Sequence, residues 1–551
     1  MDHEKLAELC FPNITKNPED YEAEYPARNL KEGAQVLRMA PSPTGFIHLG
    51  NLYGTLADER VAHQSGGVLY LRIEDTDDKR KVEGAVETLI QTFRYFEIPF
   101  DEGAEVEPNN GNAYGPYYQR QRAEIYQTFA KDLIRKGYAY PCFCTEEELS
   151  EIREKQSEAG EGTGYYGKWA VWRDKSLEEV EEKLRENAPF TIRLRAQGDV
   201  SVKHTFKDQI KGEITVTEND QDVVLLKQDG IPTYHFAHAI DDHFMHTTIV
   251  LRGEEWLGTL PVHIELHKAL GFKLPKYAHT SQLMKIDNGI KRKLSKRKDP
   301  ELSLDYYRHL GYHPYAVKLY LMTLLNWNFE EWYLKHPDSP IEEFDFRLKN
   351  MGQSGALFDL AKLDNISKTY LSRFSLDEMK EWLRGFVKEF DAEKEEIYFA
   401  DEAYLDKILS LGMGLELKKR RKDYICTTQI LSSISYYFDD LFVPEYNFKY
   451  DKELTCRLIE QFEESYSEED DNNGWFEKVK AIAADNGFCT DMKAYRENPD
   501  AYKGSVSDVA EVIRIATTGL SNTPDLYSIQ KIMGKERTLS RLAQAKKAIE
   551  A

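Results

Sequence analysis

The sequence predicts an α/β fold: a parallel sheet domain, interrupted by an inserted piece and followed by a helical half. Three observations predict it. Strand, Gly/Pro loop, helix and strand succeed one another between residues 35 and 73. That alternation stops near residue 105, and strand-like segments resume near 223. Helical periodicity then dominates from about residue 300 to the end. A parallel sheet presents ligand sites at its strand C-termini, so the loop after the first strand is where chemistry is expected.

Residues 1–34 read as a polar N-terminal extension in which Pro12, Pro18 and Pro26 prevent one long helix. Gln35–Ala40 reads as a short buried strand, stopped by Pro41-Ser42-Pro43-Thr44-Gly45. Leu52–His63 has helical spacing, Gly66-Gly67 ends it, and Val68–Ile73 is a second strand. The inserted piece, 105–225, holds turns at Pro108-Asn109-Asn110-Gly111, a charged helical stretch Glu146–Lys155 and an alternating strand Phe190–Arg195. Val223–Leu226 and Thr247–Leu251 then return the strand pattern.

With 551 residues, 41% hydrophobic and 30% charged, the composition is that of a globular chain of about three or four domains. The longest apolar stretch, Tyr315–Trp327, is broken by Lys318 and falls short of the ~18 residues a bilayer span needs. The start, MDHEKLAELC, carries no basic region followed by an apolar core, so no secretory signal and no membrane role are expected. Six cysteines do not make a disulfide scaffold in so long a chain, and a cytoplasmic location fits. A net charge of −22 argues against coating nucleic acid non-specifically, yet leaves room for a local basic groove. Two basic clusters stand out: Lys291, Arg292, Lys293, Lys296, Arg297 and Lys298, and then Lys418–Lys422. The second reads as a solvated helix face, with a phosphate contact as its functional alternative.

The first chemical motif, Pro41 to Asn51, lies between strand and helix. Its prolines fix the loop, and Gly45 and Gly50 let backbone approach a ligand closely. A helix N-terminus adds free N–H groups and the positive end of a dipole, suited to a triphosphate. His48 can donate a hydrogen bond to charge building on phosphate oxygens; the plainer alternative is a cap or packing residue. Neither G-x-x-x-x-G-K-[ST] nor a well-placed G-x-G-x-x-G occurs. The second motif, Lys293-Leu294-Ser295-Lys296-Arg297, follows about 245 residues later, and its lysines suit a pyrophosphate leaving group.

Together these motifs resemble those of the bacterial-type glutamyl-tRNA synthetases, a class I aminoacyl-tRNA synthetase family. His48-Leu49-Gly50-Asn51 resembles the HIGH signature and Lys293–Arg297 the KMSKS loop. Further matches are Arg38–Gly45, Leu71–Asp77, Gly230–Ala237, Asp241-Asp242-His243, Leu251–Trp256, Phe358–Leu363 and Met533–Thr538. Among the departures from the signatures, Asn51 stands for the second histidine and Arg297 for the final serine. His238 stands where many relatives carry asparagine.

The resemblance implies ATP-dependent ligation of L-glutamate to tRNA(Glu) through glutamyl-adenylate, with Mg2+ accompanying ATP. It implies catalytic roles for His48, Lys293 and Lys296. ATP would meet Pro41, Thr44, Gly45, His48, Gly50, Asn51, Lys293, Leu294, Ser295, Lys296 and Arg297. Arg38, Ala40, Ser42, Glu74, Tyr234, His238 and Arg252 would surround glutamate, with Arg252 on its side-chain carboxylate and Glu74 on its ammonium. An arginine fork suits that task because the charge distinguishes glutamate from glutamine.

Some relatives bind zinc through Cys-x-Cys and later Cys, Tyr or His ligands. Cys142-Phe143-Cys144 is present, but Tyr165–Arg173 holds neither Cys nor His, so no zinc is expected.

The implied plan places an extension at 1–34 and a Rossmann-like catalytic domain at 35–104 and 226–300. An acceptor-end-binding insertion follows at 105–225, a stem-contact region at 301–370 and an all-helical anticodon-binding region at 371–551. A monomer is expected. An enzyme that also charges tRNA(Gln) with glutamate stays open, and a glutaminyl-tRNA synthetase is disfavoured by Arg252–Trp256. A glutamyl-queuosine synthetase lacks the long helical half, and a non-catalytic tRNA-binding paralogue would lose the signature histidine or lysine.

Overall fold

A computed structural model describes residues 2–43, 47–77, 82–106 and 114–550. The expected turn at 108–111 lies outside those residues, as do Thr44 and Gly45. The chain begins with two short helices, α1 (His3–Cys10) and α2 (Pro18–Glu24). Residues 1–34 are therefore not merely a polar extension. Leu6, Ala7, Cys10, Tyr21 and Tyr25 are buried in a core shared with Tyr126 and Phe129, and Lys131 Nζ reaches Glu8 Oε2 at 2.9 Å and the Ile14 carbonyl at 2.7 Å.

The parallel sheet is built as β1 (Val36–Met39), α3 (Leu49–Gln64), β2 (Val68–Leu71), α4 (Ala85–Tyr95) and β3 (Glu102–Gly103). β1 pairs with β2 in parallel, Arg38 opposite Tyr70, and β2 pairs with β3. The four residues of β1 are all buried, as continuous apolar strands of parallel sheets are.

The middle piece contains α5 (Ala123–Arg135), β4 (Ala139–Cys142), α6 (Glu146–Glu158), α7 (Leu177–Arg185), β5 (Thr191–Leu194), β6 (Lys203–Asp208), β7 (Gly212–Thr217) and β8 (Val224–Leu226). β4, β5 and β8 form one antiparallel sheet, and β6 and β7 a hairpin. Val224–Leu226 thus joins the sheet of the middle piece instead of resuming the parallel one. A three-residue apolar run does not encode its partner; pairing with Ile192 and Arg193 decides it.

The parallel pattern returns with α8 (Tyr234–Phe244), β9 (Ile249–Gly253), α9 (Leu260–Leu270) and β10 (Lys276–Thr280). β9 and β10 pair in parallel, with Arg252 opposite His279. Thr248 ties this pair to β1: its N–H donates to the Val36 carbonyl at 2.9 Å and its hydroxyl accepts the Val36 N–H at 2.9 Å. The C-terminal ends of β1, β2 and β9 thereby lie together. A hairpin follows, β11 (Leu283–Asp287) and β12 (Ile290–Lys293), turned by Asn288 and Gly289 at φ 50° and 80°. Two successive left-handed residues are what a two-residue hairpin turn needs, and Asn-Gly supplies them at little cost.

The chain divides into two compact units, Met1–Tyr306 with Val317–Asp359, and Tyr307–Ala316 with Leu360–Ala551. The second unit is helical among the described residues and has two apolar cores. One gathers Met379, Leu383, Leu409, Ile430, Ile529 and Met533. The other gathers Leu458, Phe462, Val479, Val512, Ile513 and Leu542. Residues Leu526–Glu550 bend at Gly534, whose φ of 79° is costly for any residue with a Cβ. The basic run Lys418–Lys422 is not a helix face. Helix Glu402–Met413 ends at Gly414, φ 64°, and the run lies in the exposed loop beyond it.

Candidate active site

α3 starts at His48. The His48 N–H donates to Asn51 Oδ1 at 3.0 Å, so Asn51 closes the first turn and keeps its amide nitrogen as a donor. A Cβ on Gly50 would stand 3.0 Å from the His48 ring, which explains glycine between them. His48 also bridges to Ser303 in the segment following the second motif. Its pKa is lowered by burial first and then by the Lys296 and Lys293 charges, so it sits as a neutral N–H donor near those lysines. The two motifs, far apart in sequence, are brought to one place.

The second motif is shaped by a buried carboxylate. Asp299 takes a fork from Arg292, Nη1 at 2.7 Å and Nη2 at 2.9 Å, and the Ser295 N–H at 2.8 Å. Hydrogen bonds from Arg292 hold its pKa far below the usual range. Arg292 therefore serves the loop's shape, and Lys293 and Leu294 at the end of β12 reach the cavity wall.

That cavity has a volume of about 1270 Å³. Its wall holds Arg38, Ala40, Pro41, Ser42, His48, Gly50 and Asn51, together with Glu74, Tyr234, Arg252, Lys293 and Leu294. Ser295, Lys296 and Arg297 lie on the turn beyond that wall. His238 departs from expectation: it is fully buried behind Tyr234, ring stacked at 5.6 Å, and does not line the cavity. It reaches a ligand only through other side chains, because its place on α8, one turn after Tyr234, points it inward.

The wall's charges are arranged by Asp242. Arg72 Nη1 donates to its Oδ1 at 2.7 Å, Arg38 Nε lies 3.4 Å from the same oxygen, and His238 Nδ1 stands 3.0 Å from Oδ2. Burial opposes the charge, yet Arg72, His238 and Arg38 keep Asp242 well below the ordinary carboxylate range. Arg72 Nη2 also donates to Glu74 Oε1 at 3.2 Å, and burial raises the Glu74 pKa.

Residues 35–364 match the family described as tRNA synthetases class I (E and Q), catalytic domain. The chain belongs to that family. Residues 374–546 match an anticodon binding domain. A glutamate–tRNA ligase of Acetivibrio thermocellus is 54% identical over 546 residues, covering 98% of this chain and 99% of its own. One from Clostridium perfringens is 46% identical over 548 residues, covering 98% and 100%. Among solved structures, a glutamate tRNA ligase from Elizabethkingia meningosepticum in complex with its amino acid superimposes with a TM-score of 0.71 at 27% identity, covering 94% of this chain and 99% of that one.

Two wall residues of the synthetase were given no site role by the sequence reading. Trp256 lines the cavity and packs its ring 4.5 Å from Tyr234. Asp58 is 3% exposed, and its Oδ1 has no hydrogen-bond partner among the described residues; burial pushes its pKa well up. The available signal was three successive charges, Asp58-Glu59-Arg60, inside a helix buried on every side.

The Cys-x-Cys segment holds two thiols and a phenol. Cys142 Sγ and Cys144 Sγ lie 3.4 and 3.5 Å from Tyr165 Oη, and the Arg193 guanidinium sits 4.0 Å over the Tyr165 ring. Among the described residues, no group of three His, Cys, Asp or Glu side chains is clustered for a metal.

Proposed function

We propose that this synthetase joins L-glutamate to tRNA(Glu) in two steps within the one cavity. Glutamate's α-carboxylate attacks the α-phosphorus of ATP, pyrophosphate leaves, and the glutamyl group then passes to the 2′-hydroxyl of the tRNA's terminal adenosine as AMP departs. ATP arrives with Mg2+ as its substrate complex. The juxtaposition of His48 and Lys293 with Arg38, Glu74, Tyr234 and Arg252 on one wall carries this reading.

His48 and Asn51 act as neutral donors to phosphate oxygens at the N-terminus of α3, where free N–H groups add to the pull. Gly45 and Gly50 give the backbone close approach in the loop that Pro41 and Thr44 share, and Lys293, Lys296 and Arg297 neutralise the departing pyrophosphate beside Leu294 and Ser295. Arg38, Ala40, Ser42 and Glu74 take the ammonium and α-carboxylate end, Tyr234 flanks the chain, and Arg252 takes the side-chain carboxylate. His238 supports Tyr234 from behind.

The catalytic sheet is 35–104 and 226–300, the acceptor-end insertion 105–225, the stem-contact segment 301–370, and the anticodon reader 371–551. The same reading has the synthetase act as a cytoplasmic monomer without zinc; metal analysis of chelator-free protein returning about one zinc per chain would contradict the last point.

Charging of purified tRNA(Glu) and tRNA(Gln) with labelled glutamate and glutamine tests the proposal. Glutamate on tRNA(Glu) alone is expected. Glutamate on both defines a broader acceptor range and implies a partner that amidates the product. Charging of neither, with tRNA binding intact, removes the catalytic roles of His48 and Lys296.

A further inference from the structure

Arg252 has an unusual environment for a buried cation. It is 7% exposed, yet among the described residues no carboxylate lies within ion-pairing distance of it. Its partners are neutral. Nε donates to His279 Nε2 at 3.0 Å, and Nη1 stands 3.0 Å from His263 Nδ1 and 3.5 Å from Tyr234 Oη. Nη2 donates to the Trp256 carbonyl at 3.3 Å, and the Tyr277 ring lies 4.8 Å from the guanidinium carbon.

The hydrogens follow from these partners. A guanidinium only donates, so His279 Nε2 and His263 Nδ1 must both accept. Asp208 secures the first: His279 Nδ1 donates to Asp208 Oδ2 at 2.7 Å. Asp208 is itself held by the Ile210 and Lys211 N–H groups at 2.9 and 2.8 Å. His235 secures the second, because His263 Nε2 can donate to His235 Nδ1 at 3.0 Å. Burial keeps His263 and His279 neutral by lowering both pKa values, with the Arg252 charge adding to it.

We propose that His279 and His263, locked by Asp208 and His235, are positioning residues that hold Arg252 by neutral acceptors and so set selection of a carboxylate over an amide. A carboxylate in either place would neutralise the guanidinium and compete with the substrate. Imidazole fixes the fork's direction and leaves its charge to the incoming side chain. The inference rests on the reading of Arg252 as the glutamate side-chain partner. It gives the β6–β7 hairpin, through Asp208, a hand in amino-acid selection.

Steady-state aminoacylation by the full chain separates the two ideas. Arg252→Gln tests the underlying reading; an unchanged glutamate KM would remove it whatever the histidines do. Asp208→Asn lets the amide donate to His279 and turn a proton toward Arg252. It is expected to raise the glutamate KM about tenfold, or about 1.4 kcal/mol, with kcat and the ATP KM within about threefold. His263→Leu should do the same and lower the glutamate-to-glutamine ratio of kcat/KM, and His263→Gln, which retains an acceptor, should restore most of it. Should the leucine variant not fold, Asp208→Asn and His263→Gln still bear the test. A raised KM for Arg252→Gln beside unchanged values for Asp208→Asn overturns the relay; equal rises in the glutamate and ATP KM values show a structural role only.

Discussion

Arg72 and Arg252 are both buried, the second on the cavity wall, and are held in opposite ways. Arg72 is fully buried and pairs with Asp242 at 2.7 Å, with Glu74 at 3.2 Å beside it. Arg252 is held by two imidazoles, a phenol and a carbonyl. The difference separates two uses of one residue type. A neutralised arginine is scaffolding: its charge is spent inside the fold and its geometry steadies neighbours such as Arg38. An arginine on neutral acceptors keeps its field, which is what a site for an anionic side chain requires.

The strongest way to break the comparison is to remove the carboxylate. Asp242→Ala leaves Arg72 and Arg38 buried without their shared partner and is expected to cost about 3–5 kcal/mol of stability, read from denaturant midpoints. A loss below about 1 kcal/mol would mean that the pair is not the scaffold.

Acid should separate the two environments next. Burial first, opposed by Asp242, lowers His238 to about 3, and burial with the Arg252 charge lowers His235 to about 4. A histidine with a depressed folded pKa contributes stability that is present above its ordinary value of 6.5 and lost as pH falls toward the folded value. Between pH 6 and 4 each such histidine should therefore steepen the loss by up to about 1.4 kcal/mol per pH unit. Asp242, held well below the ordinary range, stays charged over that window. Replacing His238 with Gln should flatten the acid limb of a stability–pH curve; an unaltered limb would show that the ring is not buried as a neutral base.

The smallest effect belongs to cations left to solvent. Lys418, Lys419 and Arg420 are exposed. Changing all three to Gln should alter stability by no more than about 0.5 kcal/mol per site. If the loop touches tRNA phosphate, the salt dependence of tRNA binding should fall by up to about 0.9 per charge removed. An unchanged salt slope leaves the run as solubilising surface.

Much of the first unit was legible because its signals are local. An apolar run before Pro41, glycines where backbone must approach, and a helix beginning at His48 can each be read over a few residues. Other features were equally local and were missed. Asn288-Gly289 marks the hairpin that delivers Lys293, and Leu6, Ala7 and Cys10 mark a buried face in a segment read as polar. The second unit resisted for a different reason. Its helices are amphipathic, and such spacing fixes which face is buried without naming a ligand. The basic run there looked helical only because the stop at Gly414 was not recognised.

Residue types and their spacing were enough to specify the motifs at His48 and Lys293, the alternation that makes a parallel sheet and the arginines at strand ends, because each depends on neighbours within a few positions. Which arginine keeps its charge was not encoded locally. Arg38, Arg72 and Arg252 are the same residue in similar strand ends, and folding alone brings Asp242 to the first two and His279, with Asp208 behind it, to the third. Electrostatic environment is set by groups tens to hundreds of residues away in sequence and a few ångströms away in space, so tertiary packing decides it.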